Sequence, residues 1–217
     1  MASVSEGTAK AHWQDRANLL TPVAKAFATD VGVDVASLGV QVHGGMGFIE
    51  ETGAARLLRD ARIAPIYEGT NGIQAIDLVT RKLPLGNGDH VFDYVGELDA
   101  VANAVAALNS DDYGRSAICL EQALDDLQQT TRFLQKLLED GRSDDALAGA
   151  TPYLRLFALA AGGAYLARAA LAEGDAGRIA LCRFFAENLL GETAALKDRV
   201  TGGAASLREA AKALVSA

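Results

Sequence analysis

The feature that most limits the fold is a succession of apolar residues at helical spacing, which fills the chain beyond residue 90. In each stretch an apolar residue recurs every three or four positions, as one face of an α-helix requires. Short polar connections separate the stretches, and no alternating pattern typical of a strand occurs. The sequence therefore predicts an all-α protein that contains an antiparallel helical bundle. The predicted bundle stripes are Val91, Val95, Leu98, Val101 or Ala102, Val105 and Leu108; Leu120, Leu124, Leu127, Thr131, Leu134 and Leu138; the apolar residues of 152–171; Ile179, Leu181, Cys182, Phe184, Phe185 and Leu189; and Leu196, Val200, Leu207 and Leu214.

The clearest linker in the chain follows the helical pattern that ends near residue 82. Pro84 stops that pattern, and Gly86-Asn87-Gly88 follows it. Clusters of Pro, Gly and Asn of this kind mark loops between periodic segments. We therefore expect two helical domains, one over residues 1–84 and one over residues 90–217.

Two helices are predicted in the first domain ahead of residue 65. The first begins at Pro22, because proline suits the first turn of a helix, and residues 1–21 are expected to be only mildly helical. It ends at Gly44-Gly45-Met46-Gly47, since glycine can adopt positive φ and let another backbone approach closely. The second covers residues 49–64, with Thr52 as its cap.

A short link that carries one acid leads into a third helix. Pro65 halts the preceding helix, and Thr70 or Asn71 caps the next one, which runs to about residue 82. Glu68 thus lies at the mouth of a helix N-terminus, which favours its charged form by about 0.3–1 kcal/mol when exposed. Two apolar residues before it would desolvate the carboxylate and favour the neutral form. Such a carboxylate is suited to removing a proton from carbon, and a solvated loop acid is the alternative.

Charge is distributed unevenly along the chain. Residues 1–85 carry 8 Lys+Arg and 9 Asp+Glu, a net −1, whereas residues 86–217 carry 12 and 19, a net −7. An acidic second part argues against nucleic acid as a partner. Arg56, Arg59 and Arg62 share one helix face, which is either a solvated stripe paired with nearby acids or a surface for an anionic ligand.

The remaining composition favours a cytoplasmic protein without a membrane span. No apolar run reaches the roughly 18–20 residues of a span, and residues 1–6 lack the basic start of a secretory signal. Cys119 and Cys182 lie far apart in helical patterns and are expected to be buried, reduced thiols. The three histidines lack metal-ligand spacing, so no metal site is predicted.

Two motifs, separated by ten residues, resemble the signatures of the acyl-CoA dehydrogenase family. They are Gln41-Val42-His43-Gly44-Gly45-Met46-Gly47-Phe48 and the run from Arg59-Asp60-Ala61-Arg62-Ile63 to Tyr67-Glu68-Gly69-Thr70-Asn71-Gly72-Ile73-Gln74. Residues 20–83 resemble the C-terminal helical domain of that family. The residues beyond the linker resemble the extra helical domain that some members carry at their C-terminus. His43 and Asn71-Gly72 are similar to the methylthiopropanoyl-CoA dehydrogenase branch.

The resemblance implies oxidation of an acyl-CoA thioester to its trans-2-enoyl form with FAD as the cofactor. Glu68 would be the base that removes the α-proton, and Gly69 would lie against the thioester. Gly72 stands where the family usually has glutamine, so a side-chain contact to FAD is missing there. The FAD contacts that the resemblance implies are Gln41, Val42, His43, Gly44 and Gly45, on the adenosine-diphosphate part of a neighbouring subunit's FAD, and Thr70, Asn71 and Gly72.

The resemblance also implies partners. The family fold has an N-terminal helical domain and a middle β-domain that supply much of the flavin and acyl-CoA site, and neither fits in this sequence. We therefore expect the C-terminal part of a larger enzyme, inactive alone, that forms a homo-oligomer or associates with those domains. An electron-transfer flavoprotein or similar acceptor would reoxidise the flavin. The alternative is a non-catalytic helical module for oligomerisation or for docking on a flavoprotein; an unrelated helical scaffold is a third reading.

Overall fold

A computed structural model describes residues 7–215, apart from the side chains of Thr8 and Ala9. The described part consists of α-helices joined by short turns and contains no strand, which confirms the predicted all-α class. Residues 1–6, on which the absence of a secretory signal was predicted, lie outside it. The helices are Gly7–His43 (α1), Gly45–Phe48 (α2), Ala54–Ala61 (α3), Asn71–Asp77 (α4), His90–Leu108 (α5), Ser116–Glu139 (α6), Ser143–Ala148 (α7), Ala150–Glu173 (α8), Ala176–Asn188 (α9), Glu192–Thr201 (α10) and Ala205–Val215 (α11).

The first helix is longer than the sequence predicts. It runs without a break from Gly7, so the predicted start at Pro22 is wrong, and the proline lies inside the helix. A proline in a helix interior costs about 3 kcal/mol. Burial of the face that carries Leu19, Val23 and Ala26 offsets that cost, because tertiary packing supplies most of a helix's stability.

The second predicted helix is shorter than expected at both ends. It begins at Ala54, not at residue 49, because Gly53 takes a left-handed conformation with φ 78° and interrupts the helix. Thr52 is therefore not its cap. Its hydroxyl donates instead to the carbonyl of Met46 at 2.6 Å, which ties the turn before α3 back to α2. The helix ends at Ala61, and tight turns carry the chain on to Tyr67.

The third helix and the linker that follows it lie where the sequence predicts them. The hydroxyl of Thr70 caps α4 by accepting a hydrogen bond from the backbone N–H of Ile73 at 3.3 Å. Helix α4 continues directly into a π-helical turn, Leu78–Lys82, so the helical stretch ends as predicted before Pro84. A 3-10 turn, Leu85–Gly88, then follows, in which three successive residues have positive φ.

Helices α5, α6, α8 and α10 form the bundle that the apolar stripes predict. The stripes of α5 and α6 are buried apart from their last residues, and α8 is buried on most sides. On α9, however, Leu181 and Phe184 are exposed, so its stripe is narrower than predicted. Helix α7 was not predicted, because six residues are too few to show a helical period.

The last predicted stripe is wrong in its second part. Leu196 and Val200 are buried on α10, but Leu207 and Leu214 are exposed on α11. The turn after α10 contains Gly203 at φ 65°, which redirects the chain, so α11 does not continue the buried face. The side chain of Asp145 receives hydrogen bonds from the backbone N–H of Ala204 and from Arg208, and these hold the start of α11.

Residues from both sides of the linker share one hydrophobic core. Helix α8 packs against α1 and α4 as well as against its bundle neighbours. Arg16 of α1 makes two hydrogen bonds with the carboxylate of Glu97 on α5, at 2.6 and 2.9 Å, and its guanidinium lies 4.4 Å from the centre of the Tyr94 ring. The predicted division into domains 1–84 and 90–217 stays a prediction.

Candidate functional site

The link between α3 and α4 is a tight turn that presents one acid. The backbone N–H of Asn71 donates to the carbonyl of Pro65 at 3.1 Å and closes the turn. Between them, Glu68 has φ 55° and Gly69 has φ 88°, so two successive residues are left-handed. For a glutamate this conformation costs about 1–3 kcal/mol, so the surrounding contacts must hold it. Strain of this kind is concentrated at functional sites.

The carboxylate of Glu68 is exposed within this chain. Ile66 and Tyr67, which the sequence predicted to desolvate it, are themselves about half exposed and do not cover it. Any desolvation of the acid must therefore come from a molecule or domain that covers this face. The backbone N–H groups of Glu68 and Gly69 donate to no acceptor among residues 7–215, so both are open to a ligand.

Side chains of α1 hold the link from behind. The ammonium of Lys25 donates to the carbonyl of Gly69 and to Oδ1 of Asn71, both at 2.8 Å. The amide nitrogen of Asn71 donates to Oδ1 of Asp30 at 2.7 Å and to the hydroxyl of Thr29 at 2.9 Å. These α1 residues were not predicted from the sequence, because local spacing does not indicate contacts between positions more than 40 residues apart.

The link has a second support on its own side. The side-chain amide of Gln74, on the first turns of α4, donates to the carbonyl of Glu68 at 3.2 Å. A Cβ added at Gly69 would lie 3.0 Å from that same amide nitrogen, so a side chain there would push the Gln74 amide aside in addition to straining the positive φ. The position of the acid is therefore fixed by contacts to both neighbouring helices.

The predicted nucleotide-contacting residues form an exposed corner at the end of α1. Gln41, Val42 and His43 are exposed on the last turn, and Val42 is 85% exposed. The helix stops at Gly44, with φ 60° and ψ −143°, and Gly45 opens α2. Among residues 7–215 no hydrogen bond or ion pair joins this corner to the link that carries Glu68.

The glycines of this corner fit close approach by another molecule. A Cβ added at Gly44 or Gly45 would meet nothing within 4 Å, so the bare backbone of both faces open space. At Gly72, in the link, an added Cβ would approach only the Thr70 hydroxyl, at 4.0 Å. The backbone N–H of Gly44 donates to the carbonyl of Gln41 at 3.0 Å, whereas Gly45 and Gly72 lie in the first turns of α2 and α4, where backbone amides can donate at short range to a phosphate or ribose, as FAD requires.

The three arginines of the predicted stripe are largely paired. Arg59 makes two hydrogen bonds with Glu50, at 2.8 and 2.9 Å, and this guanidinium lowers the pKa of the Glu50 carboxyl. Arg56 lies 3.6 Å from Asp60, one helical turn away. These pairs favour the solvated-stripe reading, which leaves Arg62 as the exposed arginine without such a pair among the described residues.

Other candidate chemistry is sparse in the described part. No three His, Cys, Asp or Glu side chains converge within residues 7–215 as metal ligands would, although the rings of His12 and His90 lie 6.0 Å apart. Both cysteines are free, and burial raises the pKa of the Cys182 thiol. Helix α8 has the length and hydropathy of a membrane span, but 61% of its most apolar window is buried, as in a core helix.

The fold and the link define an all-α protein in which an exposed, strained acid precedes a capped helix. Residues 3–83 match the family described as "Acyl-CoA dehydrogenase, C-terminal domain", and residues 94–211 match "Acetyl-CoA dehydrogenase C-terminal like". The chain therefore belongs to the acyl-CoA dehydrogenase family, which confirms the resemblance that the two motifs indicate.

Two relatives show how far the similarity extends. The chain is 40% identical over 213 residues to 3-methylmercaptopropionyl-CoA dehydrogenase of Ruegeria pomeroyi, which covers 92% of this chain and 35% of that protein. It is 36% identical over 91 residues to a butyryl-CoA dehydrogenase of Syntrophomonas wolfei, covering 42% of this chain and 15% of that one. The chain thus spans about a third or less of the length of these relatives.

A solved structure shares the fold. The crystal structure of Caenorhabditis elegans ACDH-11 in complex with C11-CoA superposes with a TM-score of 0.65 at 24% sequence identity. The match covers 85% of this chain and 30% of that one. It therefore includes helices from both sides of the linker.

Proposed function

We propose that this chain forms the C-terminal part of an FAD-dependent acyl-CoA dehydrogenase in which Glu68 is the base that removes the α-proton of the thioester. The observation that carries the proposal is the link itself. Glu68 and Gly69 are held left-handed by contacts to α1 and α4, and the carboxylate is nevertheless exposed. A strained residue that is both fixed and accessible is what a catalytic base needs.

The open backbone amides of the link complete the chemistry. As the carboxylate of Glu68 takes the α-proton, negative charge builds on the thioester oxygen. The free N–H groups of Glu68 and Gly69 can stabilise that charge, and preorganised donors of this type commonly supply several kcal/mol. Bound FAD supplies the acceptor for the hydride that leaves the β-carbon, which leaves a double bond between the α- and β-carbons.

The FAD would be held at two places. Gln41, Val42, His43, Gly44 and Gly45 would contact its adenosine-diphosphate part, since the glycine backbone faces open space and the residues before it are exposed. Nearer the acid, Thr70 and Gly72 would approach it through their backbone. For Asn71 only a backbone approach is proposed, because its side chain is hydrogen-bonded to α1.

Exposed apolar side chains in the first part support association with further protein. Exposed apolar surface marks sites of interaction, and the part before the linker carries 12 of the 21 large apolar side chains that are exposed in residues 7–215. We propose that these exposed side chains are covered by the domains that complete the flavin and acyl-CoA site, or by a second copy of the enzyme. We also propose that an electron-transfer flavoprotein reoxidises the flavin and that the enzyme is cytoplasmic. The exposed residues are Val35, Leu38, Val42, Met46, Phe48, Ile49, Leu57, Ile63, Ile66, Tyr67, Ile73 and Ile76.

The second candidate is a non-catalytic module for helical oligomerisation or for docking on a flavoprotein. The observation that favours it is the same exposed surface, in which Phe48 is 80% exposed, together with an acid that the described residues leave exposed. Both candidates require a partner on this face. They differ in whether the carboxylate of Glu68 is needed once that partner is present.

A chimera separates the two candidates. The segment of the Ruegeria pomeroyi relative that this chain matches is replaced by this chain, and turnover of 3-methylmercaptopropionyl-CoA is followed with a dye electron acceptor. The chimera should bind FAD and turn over, and Glu68→Gln should lower kcat by about 10²–10⁴-fold, because a general base contributes that much. The flavin absorbance should be unchanged in the variant.

Control variants distinguish the catalytic role of Glu68 from the non-catalytic module. Glu51→Gln removes an exposed acid outside the link and should leave kcat within about twofold, since an exposed surface change away from the site has little effect. The isolated chain is expected to show no turnover. A Glu68→Gln chimera that keeps full activity contradicts the catalytic role and supports the docking module.

A further inference from the structure

We propose that Lys25 is a positioning residue for the base: its ammonium, together with the side chain of Asn71, clamps the Glu68–Gly69 turn against α1. This inference rests on the proposed function of Glu68 as the base. It also reassigns Asn71, which the family resemblance places against FAD, to a role directed at its own chain. The clamp consists of Lys25, Thr29, Asp30 and Asn71.

The first support is the position of the Lys25 ammonium. It is bonded at the same time to the Gly69 carbonyl and to Asn71 Oδ1, both at 2.8 Å. The Gly69 carbonyl belongs to the residue directly after the base, so it moves when the left-handed turn moves. Hydrogen bonds from a cation are shorter and stronger than those between neutral groups, which makes this ammonium the strongest single restraint on the turn.

The second support is the orientation of the Asn71 amide. Its oxygen accepts from Lys25, and its nitrogen, which has two hydrogens to donate, lies 2.7 Å from Oδ1 of Asp30, 2.9 Å from the hydroxyl of Thr29 and 3.1 Å from the backbone carbonyl of Ala26. The polar atoms of this side chain therefore face α1. A side chain so occupied holds the N-terminal end of α4 at a fixed distance from α1 and has no polar atom left for a flavin.

The third support is the conformation that the clamp holds. Glu68 and Gly69 both have positive φ, and a glutamate relaxes readily to negative φ when the restraint is removed. Such a relaxation would swing the carboxylate away from the α-carbon of the substrate. Misplacement of a catalytic group by about 1 Å costs as much as 100-fold in rate, so loss of the clamp should appear in kcat.

The fourth support is the position of Lys25 on α1. Leu19, Val23 and Ala26 of α1 are buried in the core, so the backbone that carries Lys25 is anchored by packing. Lys25 itself is partly buried, between that anchored helix and the link. The clamp thus transmits the position of the packed core to a turn that is otherwise exposed.

The test uses the chimera described above with Lys25→Met, which keeps the apolar stem and removes the ammonium. We expect kcat to fall by about 10- to 100-fold, with KM within about threefold and with unchanged flavin absorbance. The primary isotope effect with α-deuterated substrate should rise, because proton abstraction becomes slower relative to other steps. Lys25→Arg should recover most of the loss, since a guanidinium can still donate to the Gly69 carbonyl.

A second measurement reports on the clamp without catalysis. In the isolated chain, amide hydrogen exchange of residues 66–74 should be faster in Lys25→Met and in Asn71→Ala than in the wild type, while exchange in the bundle is unchanged. Lys10→Met, an exposed lysine on the same helix, is the matched control and should alter neither exchange nor kcat.

The outcomes separate this inference from the proposed function. If the wild-type chimera does not turn over but exchange in the link responds to Lys25→Met, the proposed function fails and the clamp remains. If Glu68→Gln abolishes turnover but Lys25→Met leaves kcat, the isotope effect and exchange at wild-type values, the inference is overturned while the function stands. Loss of FAD in Lys25→Met would assign the lysine to the cofactor site instead, which also overturns it.

Discussion

Gly45 and Gly47 lie in the same motif, but packing within the chain explains only one of the two glycines. A Cβ at Gly47 would collide with the backbone carbonyl of Val40 and lie 2.8 Å from Cβ of His43. Gly47 is therefore needed for the packing of α2 on the end of α1. A Cβ at Gly45 would point into open space, so none of the residues that the structure describes requires glycine there. The resemblance accounts for Gly45 through a molecule that approaches from outside.

This difference predicts opposite behaviour for two alanine variants. Gly47→Ala should destabilise the isolated chain by about 1–3 kcal/mol, because overpacking against backbone cannot be relieved by a rotamer change. Gly45→Ala should change the free energy of unfolding by less than about 0.5 kcal/mol, yet weaken FAD binding in the chimera. Urea unfolding and flavin titration measure the two quantities. Equal stability of the two variants would contradict the assignment.

At the scale of elements, periodicity predicted which segments are helical but not where they begin and end. The stripes of α5 and α6 were predicted because burial imposes a helical period on the sequence itself. The start of α1 was missed because Pro22 is a strong local signal that packing overrides. In the candidate site, Glu68 and Thr70 could be found from local chemistry. Lys25 could not, because its contact with Asn71 depends on how two helices pack.

The ion pair between α1 and α5 gives an element-scale prediction with a defined pH dependence. The hydrogen bond from Arg16 lowers the pKa of the Glu97 carboxyl, so this group stabilises the fold above its unfolded pKa of about 4.3 and loses that contribution as pH falls through the lowered folded value. Because the Glu97 side chain is 44% exposed, solvent screens the pair, and Glu97→Gln should cost about 1 kcal/mol at pH 7 and less as pH falls below about 4.

Urea unfolding of the wild type and of Glu97→Gln at pH 7 and at pH 3.5 measures this dependence. Glu121→Gln, which removes an exposed acid on α6, should have no effect above about 0.5 kcal/mol at either pH. A difference between the wild type and Glu97→Gln that is as large at pH 3.5 as at pH 7 would show that the charge of the pair is not responsible.

At the scale of the whole molecule, two segments that match separate family descriptions share one hydrophobic core. Leu78, Val79 and Leu83, before the linker, are fully buried, and the same core includes Leu98 and Phe157 beyond it. The linker is therefore a boundary in the sequence that the packing crosses. The link that carries Glu68 is attached to that core through α1, so the stability of the bundle bears on the geometry of the proposed base.

A shared core predicts a single cooperative unfolding transition. Trp13, the one tryptophan of the chain, lies on α1 and reports on the part before the linker, whereas far-UV circular dichroism reports mostly on the larger helical part beyond it. The two signals should change at the same urea concentration, because unfolding of α1 and α4 would expose the apolar face of α8 that packs on them. A chain of residues 1–84 alone should be largely unfolded for the same reason. If the Trp13 signal changes well before the circular dichroism, or if residues 1–84 fold alone, the two segments are independent domains and the base is insulated from the bundle.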